Sequence, residues 1–261
     1  MRKKLLIIIP AAVLLLCAAA AGIFYAIEGY GGLFRLFGPS VDQAGIMQPG
    51  VYISPGGAAL PYRIYVPEDY DEHVFPLVVF LHGAGERGDD NLAQIGKNSI
   101  TQVLLSEENR LRFPCIVVAP QCPAEQNWAY NSELLMGLLE QVRNDYAVDP
   151  ARIYVTGLSM GGHGAWAMLA QYPDYFAAAV PACGWGDPES AGLIRDIPIW
   201  AFHGGRDTVV RPAGSRNIVE ALRSIGGNIK YTEYPREGHQ SWFLAWREPE
   251  LFPWMFAQAR G

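Results

Sequence analysis

The sequence has few charged residues and, apart from the short basic start at positions 2–4, no cluster of basic ones. Charged side chains make up 18% of the 261 residues, and 20 basic against 26 acidic side chains give a formal net charge of −6. Nucleic-acid binding depends on Lys and Arg that neutralise phosphates, and the chain has no basic block to do this. We therefore expect neither DNA nor RNA as a partner.

Cysteine and histidine are also scarce. Beyond the N-terminal segment the cysteines are Cys115, Cys122 and Cys183, and the whole chain has five histidines. None of these cysteines has the spacing to another Cys or to His that zinc sites use, so the sequence predicts no metal site. An odd number leaves at least one thiol unpaired, and a bridge between Cys115 and Cys122 stays an open alternative.

The N-terminal 27 residues form a separate unit. Three basic residues at positions 2–4 precede an unbroken apolar run over residues 5–27, which is the pattern of an export signal. The alanines at 18–20 would suit a cleavage site, whereas the whole run would make a helix of about 34 Å, long enough to cross a bilayer uncut. We predict a signal peptide or a signal-anchor helix that tethers the protein to the membrane. The folded part is then exported, either anchored or secreted.

Residues 28–50 are rich in Gly and Pro and show no hydrophobic period, which predicts a tether with some contacts to the domain. The globular domain is predicted over residues 51–261. Half of the chain is apolar, and α/β domains of about 200–250 residues commonly fold as single units with one full core.

The domain alternates short apolar runs with amphipathic stretches. Runs without polar alternation suit strands that are buried on both faces, and they occur at 77–81, 115–119, 153–155, 177–180 and 197–202. A last strand is predicted over 229–234. Helices are predicted over 132–146, with Ser132 as the cap, and over 161–171 and 211–224, with Pro212 near the start. This alternation predicts an α/β fold with a mostly parallel central sheet and helices on both faces. Functional residues should then follow the strand ends.

A G-x-S-x-G motif follows the strand that ends at Thr156 and precedes a helix rich in small residues. Its serine is Ser159, and its glycines are Gly157 and Gly161. A serine on so sharp a strand-to-helix turn needs neighbours without side chains, because a Cβ there would collide with the strand and the helix. The turn exposes the hydroxyl at a helix N-terminus, where negative charge is favoured. We predict Ser159 to be a nucleophile.

Two further segments supply the partners of a nucleophilic serine. Asp207 follows the strand that ends near Phe202, and His239 follows the last predicted strand. The chain order Ser, Asp, His is the one found in α/β-hydrolases. We predict His239 as the general base and Asp207 as the residue that orients it, while His82 and His203 are predicted to be structural.

Acyl transfer also needs two N–H donors that point at the developing oxyanion. One is expected from Met160, which follows the serine, and the other from Ala84 in the Gly-rich loop after the strand at 77–81. The mechanism requires neither a metal nor an organic cofactor.

Four side chains are predicted to line the substrate pocket, with ordinary packing as the alternative. They follow strand ends or the histidine, and they are Gln121, Trp128, Cys183 and Trp242.

The chain resembles the bacterial "predicted peptidase" esterases, which are relatives of the feruloyl esterases and polyhydroxybutyrate depolymerases within the α/β-hydrolases. The resemblance covers residues 51–256 and leaves out residues 1–50. The matching segments are 80–89 (FLHGAGERGD), 119–123 (APQCP) with Trp128, 148–162 (VDPARIYVTGLSMGG), and His239 followed three positions later by Trp242.

The resemblance implies a carboxylesterase that acts on short-acyl or aromatic esters, with a small-molecule ester as its partner. Two rival functions stay open. A serine peptidase of the same fold would use the same three residues, and a non-catalytic binding protein could use the same scaffold. The sequence does not identify the natural ester or the oligomeric state.

Overall fold

The computed structural model describes residues 42–68 and 73–261. The predicted signal or anchor segment, residues 1–27, and the first part of the predicted tether therefore lie outside the described residues. Within the two described ranges, no helix combines the length and the apolar character that a membrane span needs.

A single mixed sheet forms the centre of the described chain. Its strands are β1 (Gln48–Ile53), β2 (Ala59–Tyr65), β3 (Phe75–Leu81), β4 (Ile116–Pro120), β5 (Val148–Leu158), β6 (Ala178–Ala182), β7 (Ile199–Gly204) and β8 (Ile229–Tyr234). Across the sheet they lie in the order β1-β2-β4-β3-β5-β6-β7-β8. β2 pairs antiparallel with both β1 and β4, and every other neighbouring pair is parallel. The predicted mostly parallel sheet is confirmed.

Helices surround the sheet, and those that lie between β3 and β8 in the chain connect its parallel strands. They are α1 (Gln43–Ile46), α2 (Thr101–Leu104), α3 (Glu107–Arg112), α4 (Ser132–Asp145), α5 (Met160–Gln171), α6 (Ala213–Ser224), α7 (Trp242–Ala245) and α8 (Leu251–Phe256). Short 3-10 turns lie at Ala84–Glu86, Ala93–Ile95, Pro188–Gly192 and His239–Ser241.

Both faces of the sheet are covered, which explains why the strands read as continuous apolar runs. Successive residues of β3 point to opposite faces, so that Leu77 and Val79 pack on one side while Val78 and Phe80 pack on the other. The first face is covered by apolar residues of α4, α5 and α6, and the second by residues of α7 and α8. Burial on two sides removes the polar alternation of a half-exposed strand.

The domain begins earlier than the sequence predicts. Residues 43–50, assigned above to the tether, form α1 and the first half of β1, and Met47 is only 1% exposed. A Cβ on Gly50 would collide with the ring of Tyr62, so this glycine is required by close packing between β1 and β2. The boundary at residue 51 is therefore wrong. The segment reads as a tether because an edge strand with Pro49 has little local pattern and is held by pairing with its neighbour.

The predicted helix start at Ser132 needs a similar correction. α4 begins at Ser132 itself, so the cap position belongs to Asn131. The Ser132 hydroxyl donates to Oε1 of Gln171 at 2.6 Å and so ties α4 to α5. Ser132 is a polar residue at a helix start, and the sequence alone does not tell a cap from the first helical position.

Candidate active site

A strained turn between β5 and α5 carries Ser159. Its backbone has φ 53° and ψ −116°, a conformation that L-residues rarely adopt and that costs about 1–3 kcal/mol. A Cβ on Gly161 would overlap the carbonyl oxygen of Leu81, and one on Gly157 would overlap the carbonyl oxygen of Gly161. Both glycines of the motif are thus needed for the turn to pack against β3.

The structure brings together the three side chains that the sequence predicts to act together. Nε2 of His239 lies 2.9 Å from Oγ of Ser159, and Nδ1 of His239 lies 2.7 Å from Oδ2 of Asp207. The histidine side chain is 15% exposed and that of Asp207 is fully buried. A proton can pass from the serine to the imidazole without any rearrangement of the three residues.

Backbone and side-chain donors surround the carboxylate of Asp207. Its Oδ1 accepts hydrogen bonds of 2.9 Å from the N–H groups of Val209 and Val210. Burial by itself raises the pKa of Asp207, but hydrogen bonds from His203 and His239 outweigh burial and hold this pKa well below its usual range. The carboxylate stays ionised and can stabilise a positive charge on His239.

His203 is a buried second histidine on the same carboxylate. Its Nε2 lies 2.9 Å from the carbonyl oxygen of Val210 and 3.2 Å from Oδ2 of Asp207. A carbonyl oxygen can only accept, so Nε2 carries a proton. Nδ1 lies 2.8 Å from the Ser215 hydroxyl. These bonds fit the predicted structural role of His203. They also show what this histidine holds in place, which is the carboxylate of Asp207.

The two expected oxyanion donors, Ala84 and Met160, lie in the same cavity as Ser159. Ala84 is the first residue of a 3-10 turn, and Met160 is the first residue of α5. N–H groups in a first helical turn have no acceptor within the helix, which leaves them available to a ligand. Both residues line one cavity together with Ser159.

His82 braces the loop that carries Ala84. The N–H of Cys122 donates to Nε2 of His82 at 2.9 Å, so the ring proton is on Nδ1, which donates to the carbonyl oxygen of Gly83 at 2.6 Å. Burial lowers the pKa of His82 to about 4. A neutral imidazole with both nitrogens engaged has the structural role that the sequence predicts.

Two cavities meet at Ser159 and Ala84. The first, of about 500 Å³, is also lined by His239 and by the wall residues Gly83, Gly85, Glu86, Asn98, Leu158, Val209, Gln240 and Trp242. The second, of about 380 Å³, is also lined by Arg87, Glu125, Gln126, Asn127, Met160, His163, Trp185 and Val210. Of the four residues predicted to line the substrate pocket, Trp242 is the one that lines a cavity beside Ser159.

For three of the four residues that are predicted to line the pocket, the prediction is wrong. Gln121, Trp128 and Cys183 are fully buried and line neither cavity beside Ser159. The side chain of Gln121 binds the backbone of Asn91 and Glu86, and the indole N–H of Trp128 donates to the carbonyl of His82 at 3.0 Å. Gln121 and Trp128 thus hold the backbone of the loop that carries Ala84.

Cys183 lies next to Ser159, but its side chain is fully buried. Its own backbone has a positive φ of 41°, and its N–H donates to the carbonyl oxygen of Phe202 at 2.8 Å. A residue after a strand end reaches the cavity only if the loop backbone turns its side chain outwards. In this loop Trp185, and not Cys183, lines the second cavity. Trp185 is 40% exposed and stacks on His163 with ring centroids 4.2 Å apart.

The cysteines of the described chain are free thiols. Cys115, Cys122 and Cys183 are all buried and unbridged, so the alternative of a Cys115–Cys122 disulfide is not adopted. Burial raises the pKa of all three thiols, in the case of Cys122 to about 11. Across residues 42–68 and 73–261, no group of three or more His, Cys, Asp or Glu side chains is arranged to hold a metal ion.

The sheet order and the position of the strained turn define the α/β-hydrolase class. Residues 57–249 match the family described as "Putative esterase", and the chain belongs to this family. The matched range includes Ser159, Asp207 and His239.

Relatives and a solved structure agree with this membership. The chain is 30% identical over 122 residues to "Poly(3-hydroxyalkanoate) depolymerase C" of Paucimonas lemoignei, which covers 34% of this chain and 29% of that protein. It is 26% identical over 189 residues to "Probable feruloyl esterase C" of Aspergillus niger, and the aligned part covers 69% of this chain and 67% of that protein. A crystal structure of a thermostable esterase has a TM-score of 0.79 at 37% identity and covers 83% of this chain and 64% of that one.

These relatives confirm the family resemblance that the motifs predict. The chain spans less than two thirds of the length of the depolymerase and of the thermostable esterase.

Proposed function

We propose that the protein is a serine carboxylesterase that cleaves small carboxylic esters with short-acyl or aromatic acyl groups. The observation that carries this proposal is the continuous contact from Asp207 through His239 to Ser159, with distances of 2.7 Å and 2.9 Å. Family membership supports ester hydrolysis as the reaction.

In the proposed reaction, His239 removes the proton of the Ser159 hydroxyl as the oxygen attacks the ester carbonyl. The negative charge that develops on the carbonyl oxygen is held by the N–H groups of Met160 and Ala84. Asp207 fixes the tautomer of His239 and stabilises the imidazolium. His239 then protonates the leaving alcohol, and water cleaves the acyl-enzyme by the same steps to release the carboxylic acid.

The first test is hydrolysis of p-nitrophenyl esters from acetate to decanoate, together with methyl ferulate, by the full-length protein. We expect turnover that Ser159→Ala reduces by at least about a thousandfold, because the nucleophile is lost. Ser224→Ala removes an exposed hydroxyl that bonds only to the nearby carbonyl of Ala221 and serves as the control. A folded protein that hydrolyses none of these esters and does not react with a fluorophosphonate probe would contradict the proposal.

We also propose that the domain is exported, through the basic residues 2–4 and the apolar run at 5–27. The full-length protein with a C-terminal tag, expressed in a bacterial host, should be digested by protease added outside the cytoplasmic membrane. Retention in the membrane fraction at full length supports an uncleaved anchor. A shortened soluble product supports a cleaved signal, and protection from protease would contradict export.

A further inference from the structure

The two cavities at Ser159 differ in their access to His239. Only the larger of the two is lined by this histidine, whereas the smaller one is lined by Met160. In the proposed reaction His239 gives its proton to the oxygen of the leaving alcohol, so that oxygen must lie on the His239 side. We call the larger cavity the alcohol cavity and the smaller one the acyl cavity.

Glu86 brings a carboxylate into the alcohol cavity. Its Oε1 accepts a hydrogen bond of 2.5 Å from Nδ2 of Asn98, and its own carbonyl accepts from Gln121 at 3.0 Å, so the residue is held at both ends. Gly83 lies between Glu86 and the nucleophile. A Cβ on Gly83 would stand 3.1 Å from Oε2 of Glu86 and 3.7 Å from Cβ of Ser159. The second carboxylate oxygen and the nucleophile therefore border the same small space.

The charge of Glu86 is not balanced by a neighbouring base. Among the described residues, no Lys or Arg forms an ion pair with it. The residues that line the alcohol cavity include no Lys or Arg either. Arg87 lies in the acyl cavity and donates to the carbonyl of Ala84 at 3.0 Å. A cation in the alcohol cavity would therefore meet the Glu86 carboxylate with no Lys or Arg among the residues that line this cavity.

Part of the wall of the alcohol cavity is apolar and aromatic. Trp242 packs against the ring of His239 with centroids 5.4 Å apart, and Leu158 and Val209 are the other apolar side chains of the wall, which also contains the uncharged amides Asn98 and Gln240. An indole ring attracts organic cations through its negative face, and a nearby carboxylate adds to that attraction when water is partly excluded. The two features together match a quaternary or primary ammonium group.

We propose that Glu86 and Trp242 make the alcohol cavity selective for esters whose alcohol carries a positive charge. The inference deepens the proposed ester hydrolysis and rests on it. Anionic alcohols are disfavoured, because they would bring a second negative charge next to Glu86.

The test compares two acetate esters of the same shape, acetylcholine and 3,3-dimethylbutyl acetate, which differ in the charge of the alcohol. Acetate release by the full-length protein gives kcat/KM for each. We expect the wild type to prefer the cation by about fivefold or more, and the ratio to fall close to one in Glu86→Gln. Glu125→Gln removes an equal charge from the acyl cavity and should keep the wild-type ratio.

A second pair places the charge in the acyl part: ethyl 4-(trimethylammonio)butanoate and ethyl 5,5-dimethylhexanoate. Glu86→Gln should leave this ratio unchanged. A change in this ratio rather than in the first would overturn the assignment of the two cavities. Trp242→Leu should lower the first ratio as well, and it tests the inference if Glu86→Gln fails to fold.

The outcomes separate this inference from the function on which it rests. Equal kcat/KM for acetylcholine and its neutral isostere would overturn the inference. So would hydrolysis of p-nitrophenyl acetate with no turnover of either isostere. If the wild type cleaves no ester at all and does not react with the fluorophosphonate, the proposed esterase function itself fails.

Discussion

Asp207 accepts hydrogen bonds from two backbone N–H groups and two histidines while it is shielded from solvent. The donors are fixed before any substrate arrives, so the carboxylate needs no rearrangement when His239 becomes charged. Exchange of a single carboxylate oxygen of Asp207 for an NH2 group should therefore disturb the hydrogen bonds of the site strongly.

Replacing Asp207 by Asn should lower kcat by about a thousandfold to ten-thousandfold. The amide can donate to Nδ1 of His239, which would move the ring proton to Nε2. A protonated Nε2 can no longer accept the proton of Ser159. Steady-state hydrolysis of p-nitrophenyl acetate measures the loss, and circular dichroism checks the fold. Asp187→Asn is the matched control, because that aspartate also accepts from the backbone but is exposed. Similar losses in both variants would contradict the assigned role.

His82 should make the stability of the domain depend on pH. Its native pKa of about 4 lies below the value of about 6.5 of an unfolded chain, so the unfolded state binds more protons between these values. The contribution is complete above about pH 6.5 and is lost as the pH falls towards 4. At pH 5 about 2 kcal/mol of the free energy of unfolding should be lost through this group.

Urea unfolding at pH 7 and at pH 5 measures this effect. In His82→Gln the difference between the two pH values should shrink by the same amount, because the glutamine does not titrate. His73→Gln removes an exposed imidazole and serves as the control for the loss of a histidine from the surface. An unchanged pH dependence in His82→Gln would show that another group is responsible.

At the scale of single elements, the turn between β5 and α5 depends on the absence of side chains. Gly161→Ala would place a methyl group on the carbonyl of Leu81, so the helix must move away from β3. We expect a loss of about 3 kcal/mol or more in the free energy of unfolding, and a loss of activity greater than the stability change explains. Thermal unfolding and ester hydrolysis provide the two readouts.

Gly192→Ala is the control for this change, because a Cβ there meets no atom within 4 Å. We expect an effect within about 0.5 kcal/mol. Equal destabilisation by the two substitutions would mean that the loss reflects glycine replacement in general and not the contact with β3.

The turn and the strand ends are also where sequence reasoning works best. Ser159, Asp207 and His239 follow strands, and a parallel sheet brings the carboxyl ends of its strands to one edge. Side-chain direction is harder to predict. Cys183 also follows a strand, but its positive φ turns it inwards, and the next exposed side chain is Trp185. Such loop geometry depends on tertiary contacts, which a sequence pattern does not contain.

At the scale of the whole molecule, the sheet extends to the N-terminal side of the predicted domain. β1 is paired along its length with β2, from Gln48 with Ile64 to Ile53 with Ala59. Local pattern misses this strand, because its residues are mostly exposed and its stability comes from the neighbouring strand.

A chain that begins at residue 42 should therefore be more stable than one that begins at residue 51. The shorter chain loses the burial of Met47 and half of β1, which should lower Tm by about 5–10 °C. Differential scanning calorimetry of the two chains measures the difference. Met47→Ala in the longer chain should reproduce part of it, and equal melting temperatures would restore the boundary at residue 51.

The buried thiols can report the order in which the two faces of the sheet open. Cys122 packs on one face of the sheet, and Cys115 and Cys183 pack on the other. Alkylating reagents attack the thiolate, and burial keeps these thiols both protonated and out of reach. Each face can therefore be labelled only while it is open, and the order in which the three sulfurs are alkylated would record which half of the molecule comes apart first.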